Sequence, residues 1–179
     1  SPLTVAGPAG IKTNVCASND VLLQSETDEN SVTTAYQHDL FGNVISEQTG
    51  SFNPILSSYV QIGEGIKNRL LSRTDRNGNT TTFDYDIRGN LTRKIYADAN
   101  RESFAYAANG DLVSETDRRG ATTRQGYDAF GYRTLRILPI GETRASWNRR
   151  GLKLTETDAN GNITSFSYDG HDNPASATH

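Results

Sequence analysis

Cysteine is nearly absent: Cys16 stands alone among 179 residues, which excludes a disulfide framework. With only three His and no Cys pair, an ordinary zinc finger is excluded as well. Methionine is missing altogether, first position included, so the chain reads as a processed product or a piece of something longer. No aliphatic run exceeds Val21-Leu22-Leu23, which leaves no membrane span and no remaining secretory signal. Neither sign of charge dominates. Eighteen Lys and Arg stand against 21 Asp and Glu, for a net charge of −3 with no basic block, which argues against a nucleic-acid groove or an anionic membrane surface. Apolar residues make up 34%, well short of the roughly one half usual in globular chains, too few for a thick two-layered core.

What the chain has is repetition. The stretch Thr74-Asp75-Arg76-Asn77-Gly78-Asn79 leading to Phe83-Asp84-Tyr85-Asp86 recurs as Thr157-Asp158-Ala159-Asn160-Gly161-Asn162 leading to Phe166-Ser167-Tyr168-Asp169, offset by 83 residues. Between them Thr116-Asp117 leads to Tyr127-Asp128-Ala129-Phe130-Gly131, and upstream Thr27-Asp28 leads to His38-Asp39-Leu40-Phe41-Gly42. In these four units the anchor residue follows the opening Asp by ten positions. Looser units run from Asp98 through Tyr106 to Gly110 and from Trp147 to Gly151, and a degenerate one from Tyr59 to Gly63. The anchors are therefore His38, Tyr59, Tyr85, Tyr106, Tyr127, Trp147 and Tyr168, at steps of 21, 26, 21, 21, 20 and 21 residues. The long step marks an insertion near 55–70.

Each unit reads as a hairpin. Phe83 and Tyr85, like Phe104 and Tyr106 or Phe166 and Tyr168, are two apart and project from one face of an extended strand. The Asp-x-x-Gly that follows the anchor suits a type I turn closed by a glycine in the left-handed region, predicting positive φ at Gly89, Gly110, Gly131 and Gly151. The return strand, for example Leu91-Thr92-Arg93-Lys94-Ile95, alternates again. Two strands and two turns in about 21 residues leave no room for a helix. The expectation is an all-β antiparallel meander of 12 to 14 strands, with a helical turn or two allowed only within Leu56–Leu70.

The unit Gly-x-x-Thr-x-x-x-Tyr-Asp-x-x-Gly-Asn-Leu resembles the YD repeat of the Rhs family, found in bacterial polymorphic toxins, in the B and C components of insecticidal toxin complexes and in animal teneurins. Tyr85-Asp86-Ile87-Arg88-Gly89-Asn90-Leu91 matches best, and the resemblance runs from about Val21 to Thr178. It implies a spiral, shell-like β-sheet that, in the toxin branch, encloses a C-terminal effector. The Asp-Pro-x-Gly segment at which such shells release their effector has no counterpart, because the chain contains no Asp-Pro. Seven units also fall short of a closed shell, so a piece of its wall is expected.

No catalytic, cofactor-binding or metal site is expected. Asp75-Arg76-Asn77-Gly78-Asn79 and Asp158-Ala159-Asn160-Gly161-Asn162 imitate the start of a calcium loop, but glycine falls at position 4 rather than 6 and no Glu stands at 12, so structural turns are preferred. His38 beside Asp39 occupies an anchor place and reads as a strand residue rather than a base. Cys16 precedes the first repeat with no readable partner, and His171 and His179 fall in or after the fading last unit. The organisation is a lead-in over 1–20 and about seven hairpin repeats over 21–179, with the lead-in and the tail Pro174–His179 least ordered. The leading function is a non-enzymatic segment of a secreted or cell-surface Rhs shell that encapsulates or presents a toxin effector. Its partners are then the remainder of the parent shell and the effector, with no nucleic acid and no membrane span. The alternative is a carbohydrate-binding or adhesion module whose Tyr and Trp stack on cell-surface glycans; a small hydrolase is a weaker third. The open ends of such a piece are expected to self-associate edge to edge.

Overall fold

The computed structural model describes residues 13–16, 22–62 and 67–179. The described residues form sixteen strands and no helix: β1 (Thr13–Cys16), β2 (Leu23–Thr27), β3 (Thr33–His38), β4 (Val44–Thr49), β5 (Ile55–Ile62), β6 (Lys67–Thr74), β7 (Thr80–Tyr85), β8 (Leu91–Ile95), β9 (Arg101–Tyr106), β10 (Leu112–Thr116), β11 (Thr122–Tyr127), β12 (Arg133–Leu138), β13 (Gly141–Trp147), β14 (Lys153–Thr157), β15 (Ile163–Tyr168) and β16 (Pro174–Thr178). The chain divides into two units, Ser1–Ala99 and Asn100–His179. In the first, β1 to β8 pair each with the next, all antiparallel; in the second, β9 to β16 do the same.

Six of the seven anchors end the first strand of a hairpin, as the spacing predicts, and Tyr59 stands three residues before the end of β5. Sixteen strands exceed the expected 12 to 14 because β1 and β2 form a further hairpin, in which Cys16 pairs with Leu23 at a register shift of the kind found at the anchors. The tail expected to be loose is strand β16, with Pro174 opposite Tyr168, because the return strand of every regular hairpin begins six residues after its anchor. The order expected of 1–12 and 17–20, and the turn expected at Gly63, lie outside the described residues.

The helical turn allowed within Leu56–Leu70 gives way to two eight-residue strands, β5 and β6. Tyr59 pairs with Leu70, eleven residues on, and the ladder continues through Val60–Arg69, Gln61–Asn68 and Ile62–Lys67. The five extra residues therefore lengthen the hairpin beyond its anchor.

The return strands do not alternate cleanly. In β7–β8, Asp84 faces Arg93 and Tyr85 faces Leu91, which leaves Thr92 as an extra residue. The same bulge sits beside the anchor in all seven hairpins, passing over Ile45, Leu71, Thr92, Val113, Thr134, Leu154 and Ala175. A bulge bends its strand and adds right-handed twist, so the sheet is coiled at a fixed place in every repeat.

No side chain among the described residues is buried, and no apolar core forms among them. Stability must come from the ladder, from aromatic contacts across a half-buried face and from the turns.

Candidate functional site

The turns are built on aspartate. In Asp86-Ile87-Arg88-Gly89-Asn90 the backbone closes through Asp86 N–H to Asn90 O (2.9 Å) and Gly89 N–H to Asp86 O (2.9 Å). Asp86 Oδ1 accepts the N–H groups of Arg88 and Asn90, both at 2.9 Å, and Oδ2 accepts Asn90 Nδ2 at 2.9 Å. Gly89 takes φ +82, Gly110 +96, Gly131 +85 and Gly151 +80, the left-handed values that the pattern predicts. The opposite edge uses the same turn: Asp75 accepts from Asn77 N, Asn79 N and Asn79 Nδ2, and Asp158 accepts from Asn160 N, Asn162 N and Asn162 Nδ2. The two calcium-like motifs are thus turns whose carboxylates are engaged by their own loop. The Asn side-chain amide, aided by the backbone N–H donors, holds Asp39, Asp75, Asp86, Asp158 and Asp169 below the usual carboxylate range against a smaller desolvation cost in each. Where the repeat places Thr before the Asp and again six residues later, the hydroxyls meet across the turn, at 2.9 Å for Thr27–Thr33, 2.8 Å for Thr74–Thr80 and 2.9 Å for Thr116–Thr122.

The anchors join one hairpin to the next. The Tyr59 hydroxyl donates to Val44 O (3.2 Å), Tyr85 to Leu70 O (2.9 Å), Tyr127 to Leu112 O (2.9 Å) and Tyr168 to Lys153 O (2.8 Å), each reaching back 15 residues to the first part of the preceding return strand. Trp147 does the same through Nε1 to Arg133 O at 2.9 Å. Each such bond contributes about 1 kcal/mol, and five of the seven anchors make one. Burial pushes the Tyr85 phenol up, and burial together with the hydrogen bond to Glu26 (2.8 Å) pushes Tyr36 up to about 12.

The face that carries these aromatics is not a continuous apolar surface. Two residues before each anchor stand Tyr36, Ser57, Phe83, Phe104, Gln125, Ala145 and Phe166, and opposite them the ladder places Glu47, Arg73, Lys94, Glu115, Arg136, Glu156 and Ala177. Six of these seven partners are ionisable, which keeps water on the face and interrupts any apolar template between hairpins. The pattern is legible nine residues after each regular anchor, a signal that inspection of the motif alone misses.

The sequence-singled residues do not converge. His38 pairs with Val44 in the first unit, His171 donates its N–H to the Asp169 carboxylate, and His179 Nδ1 lies 2.8 Å from the Thr164 hydroxyl. Among the described residues no group of three His, Cys, Asp or Glu side chains is placed to hold a metal ion.

Antiparallel hairpins of about 21 residues, five of the seven tied to their predecessors by an aromatic donor, define a β-hairpin repeat protein. The RHS Repeat family model matches residues 67–101, 106–143 and 147–179, more than half of the chain, and the chain belongs to that family. The fold is similar to the Photorhabdus luminescens Tc holotoxin pore (TM-score 0.68, 17% identity, 94% of this chain and 10% of that one). It is also similar to the TcdB2-TccC3 crystal structure (TM-score 0.69, 17% identity, 93% and 10%) and to TcdB2-TccC3-Cdc42 (TM-score 0.51, 15% identity, 94% and 13%). The chain spans about a tenth of the length of the first two structures it matches. No curated protein sequence matches it.

Proposed function

We propose that this chain is a non-enzymatic stretch of the wall of an Rhs shell, one that encloses or presents a toxin effector outside the cell that makes it. Its partners are the adjoining repeats of the parent shell and the effector. The observation that carries this reading is the bond from five of the seven anchors to the preceding hairpin, because it makes the sheet extend by addition of units and needs no core in any of them. The interleaved charges support it further: a wall that holds a chain must not offer it a continuous sticky surface.

The test is excision of one whole repeat, residues 86–106, from the parent protein. Removing one 21-residue period keeps the phase of every anchor, so the shell is expected to assemble one hairpin short, with its effector more open to protease than in the intact parent. Unchanged protection, together with saturable binding of neutral oligosaccharides by this chain, would overturn the wall reading in favour of glycan adhesion.

A further inference from the structure

The aromatic face of the second unit has a gap. At the place two residues before the anchor, β9 and β15 carry Phe104 and Phe166, whereas the two successive hairpins between them carry Gln125 and Ala145. Where Ala145 stands, β12 to β14 leave a depression of about 170 Å³ against the indole of Trp147, whose Nε1 is fixed to Arg133 O at 2.9 Å. Four cations line it, Arg133, Arg136, Arg144 and Lys153, with Glu156, and Arg144 is held by Glu142 at 2.9 Å. Lys153 Nζ lies 5.4 Å from the centre of the Trp147 ring and is bonded to Glu156 Oε2 at 3.1 Å, and Arg133 Nη1 donates to Gln125 Oε1 at 3.2 Å. Arg136, half-buried and opposite Gln125 and Thr143, has no side-chain partner among the described residues.

We propose that this depression is a binding site for an acidic polypeptide segment, which places one Glu or Asp carboxylate on Arg136 with Trp147 as its wall. The charge chooses the sign: Glu156 is answered by Lys153, and Arg136 remains with donors unused. A planar guanidinium lining the depression favours a carboxylate, which it grips with two parallel bonds. Size chooses the occupant. Sites for whole small molecules enclose about 300 to 1,000 Å³, so a depression of about 170 Å³ takes a side-chain head group. The charge is local. Over β9 to β11 the same face forms a larger groove of about 460 Å³ lined by Glu102, Glu115 and Asp117, which would repel such a segment and so sets its position over β12 to β14. The proposal does not depend on the shell reading.

Trp147 is the only tryptophan, so its fluorescence reports the site directly. The chain is titrated with acetyl-Gly-Glu-Gly-Glu-Gly-amide, with its Gln counterpart and with an oligosaccharide of glucuronic acid. The Glu peptide is expected to saturate the signal and to weaken as salt is raised, and the Gln peptide to bind about tenfold more weakly, the loss of one charge-assisted bond. Arg136→Gln should weaken the Glu peptide by about the same factor. Ala145→Phe, which gives this hairpin the residue type of the following one (Phe166) and leaves every cation in place, should abolish binding with the β-sheet circular dichroism unchanged. Equal binding of the Glu and Gln peptides, wild-type binding by a folded Ala145→Phe variant, or saturation by the acidic sugar and not the peptide would each overturn the proposal.

Discussion

The hairpins β5–β6 and β7–β8 stand side by side and solve the same problem differently. Both carry on their first strand a tyrosine, Tyr59 or Tyr85, whose hydroxyl reaches the preceding return strand, and both carry the bulge beside it. Beyond the anchor they part. In β7–β8 the chain turns at once through Asp86-Ile87-Arg88-Gly89-Asn90 with its carboxylate network, whereas in β5–β6 it continues as a ladder for three more pairs. The extension is braced against both neighbouring turns, Asn68 Nδ2 donating to Asn43 Oδ1 and Arg69 Nε to Gly89 O, each at 3.2 Å. Anchor and bulge therefore define the repeat, and the turn is a closure that can be exchanged.

If so, the largest effects should fall on the anchors and be alike in the two hairpins. Tyr85→Ala and Tyr59→Ala each remove a half-buried ring and its bond. About 2 kcal/mol of destabilisation is expected in chemical denaturation, below the 3 to 5 kcal/mol of a fully buried aromatic. A Tyr59→Ala loss much smaller than that of Tyr85→Ala would break the equivalence. Next comes the turn. A β-branched residue at Gly89 must enter the left-handed region, and its Cβ would lie 3.2 Å from the Arg69 guanidinium, so Gly89→Val should cost about 1 to 2 kcal/mol. Arg88→Val beside it should cost far less, and equal thermal shifts at the two positions would show that closure does not rest on the glycine.

The contrast also shows what the sequence reveals. Anchor spacing and the Asp-x-x-Gly signature are local, and they suffice to place seven hairpins and the positive φ of Gly89, Gly110, Gly131 and Gly151. The bulge is not local: Leu91-Thr92-Arg93-Lys94 looks like plain alternation, and only its pairing with Asp84 and Tyr85 shows that Thr92 is extra. The acceptor of each tyrosine lies 15 residues back on another strand, which no spacing announces. The insertion could have been read further, since Tyr59-Val60-Gln61-Ile62 is rich in aromatic and β-branched residues and suits a strand better than the helical turn allowed there. The depression was hardest to see, because it lies where Ala145 stands in place of an aromatic residue.

Acid should separate the two hairpins. Asp86 titrates below its ordinary range in the folded chain, chiefly because Asn90 binds its ionised form, so what it contributes is fully present above the unfolded-state pKa and is lost as pH falls through the lowered value. No Asp lies between Tyr59 and Leu70. In amide hydrogen exchange read from about pH 6 down to about pH 3, protection at Gly89 and Asn90 is expected to fall below about pH 4 while that at Val60 and Arg69 holds. Parallel loss in both hairpins would mean that the whole sheet, and not the turn, responds to the acid.

The smallest effect should come from the largest change. Replacing residues 60–69 by the five residues Asp-Ile-Arg-Gly-Asn gives β5–β6 the turn of β7–β8 and restores the 21-residue step. The exchange removes three ladder pairs and the two bracing bonds from Asn68 and Arg69. Against that it supplies two backbone bonds, three bonds to the new carboxylate and a shorter closure, worth a few tenths of a kcal/mol in loop entropy. Each bond contributes about 1 kcal/mol on either side, so the terms nearly cancel and a net change within about 1 kcal/mol is expected. The Tyr59 hydroxyl should keep its bond to Val44 O, because nothing on the near side of the anchor has moved. A loss above about 2 kcal/mol would require a contribution from the extension that these bonds do not account for. The longer hairpin would then be a structural brace across neighbouring repeats, and the repeat would no longer be independent of how its turn is closed.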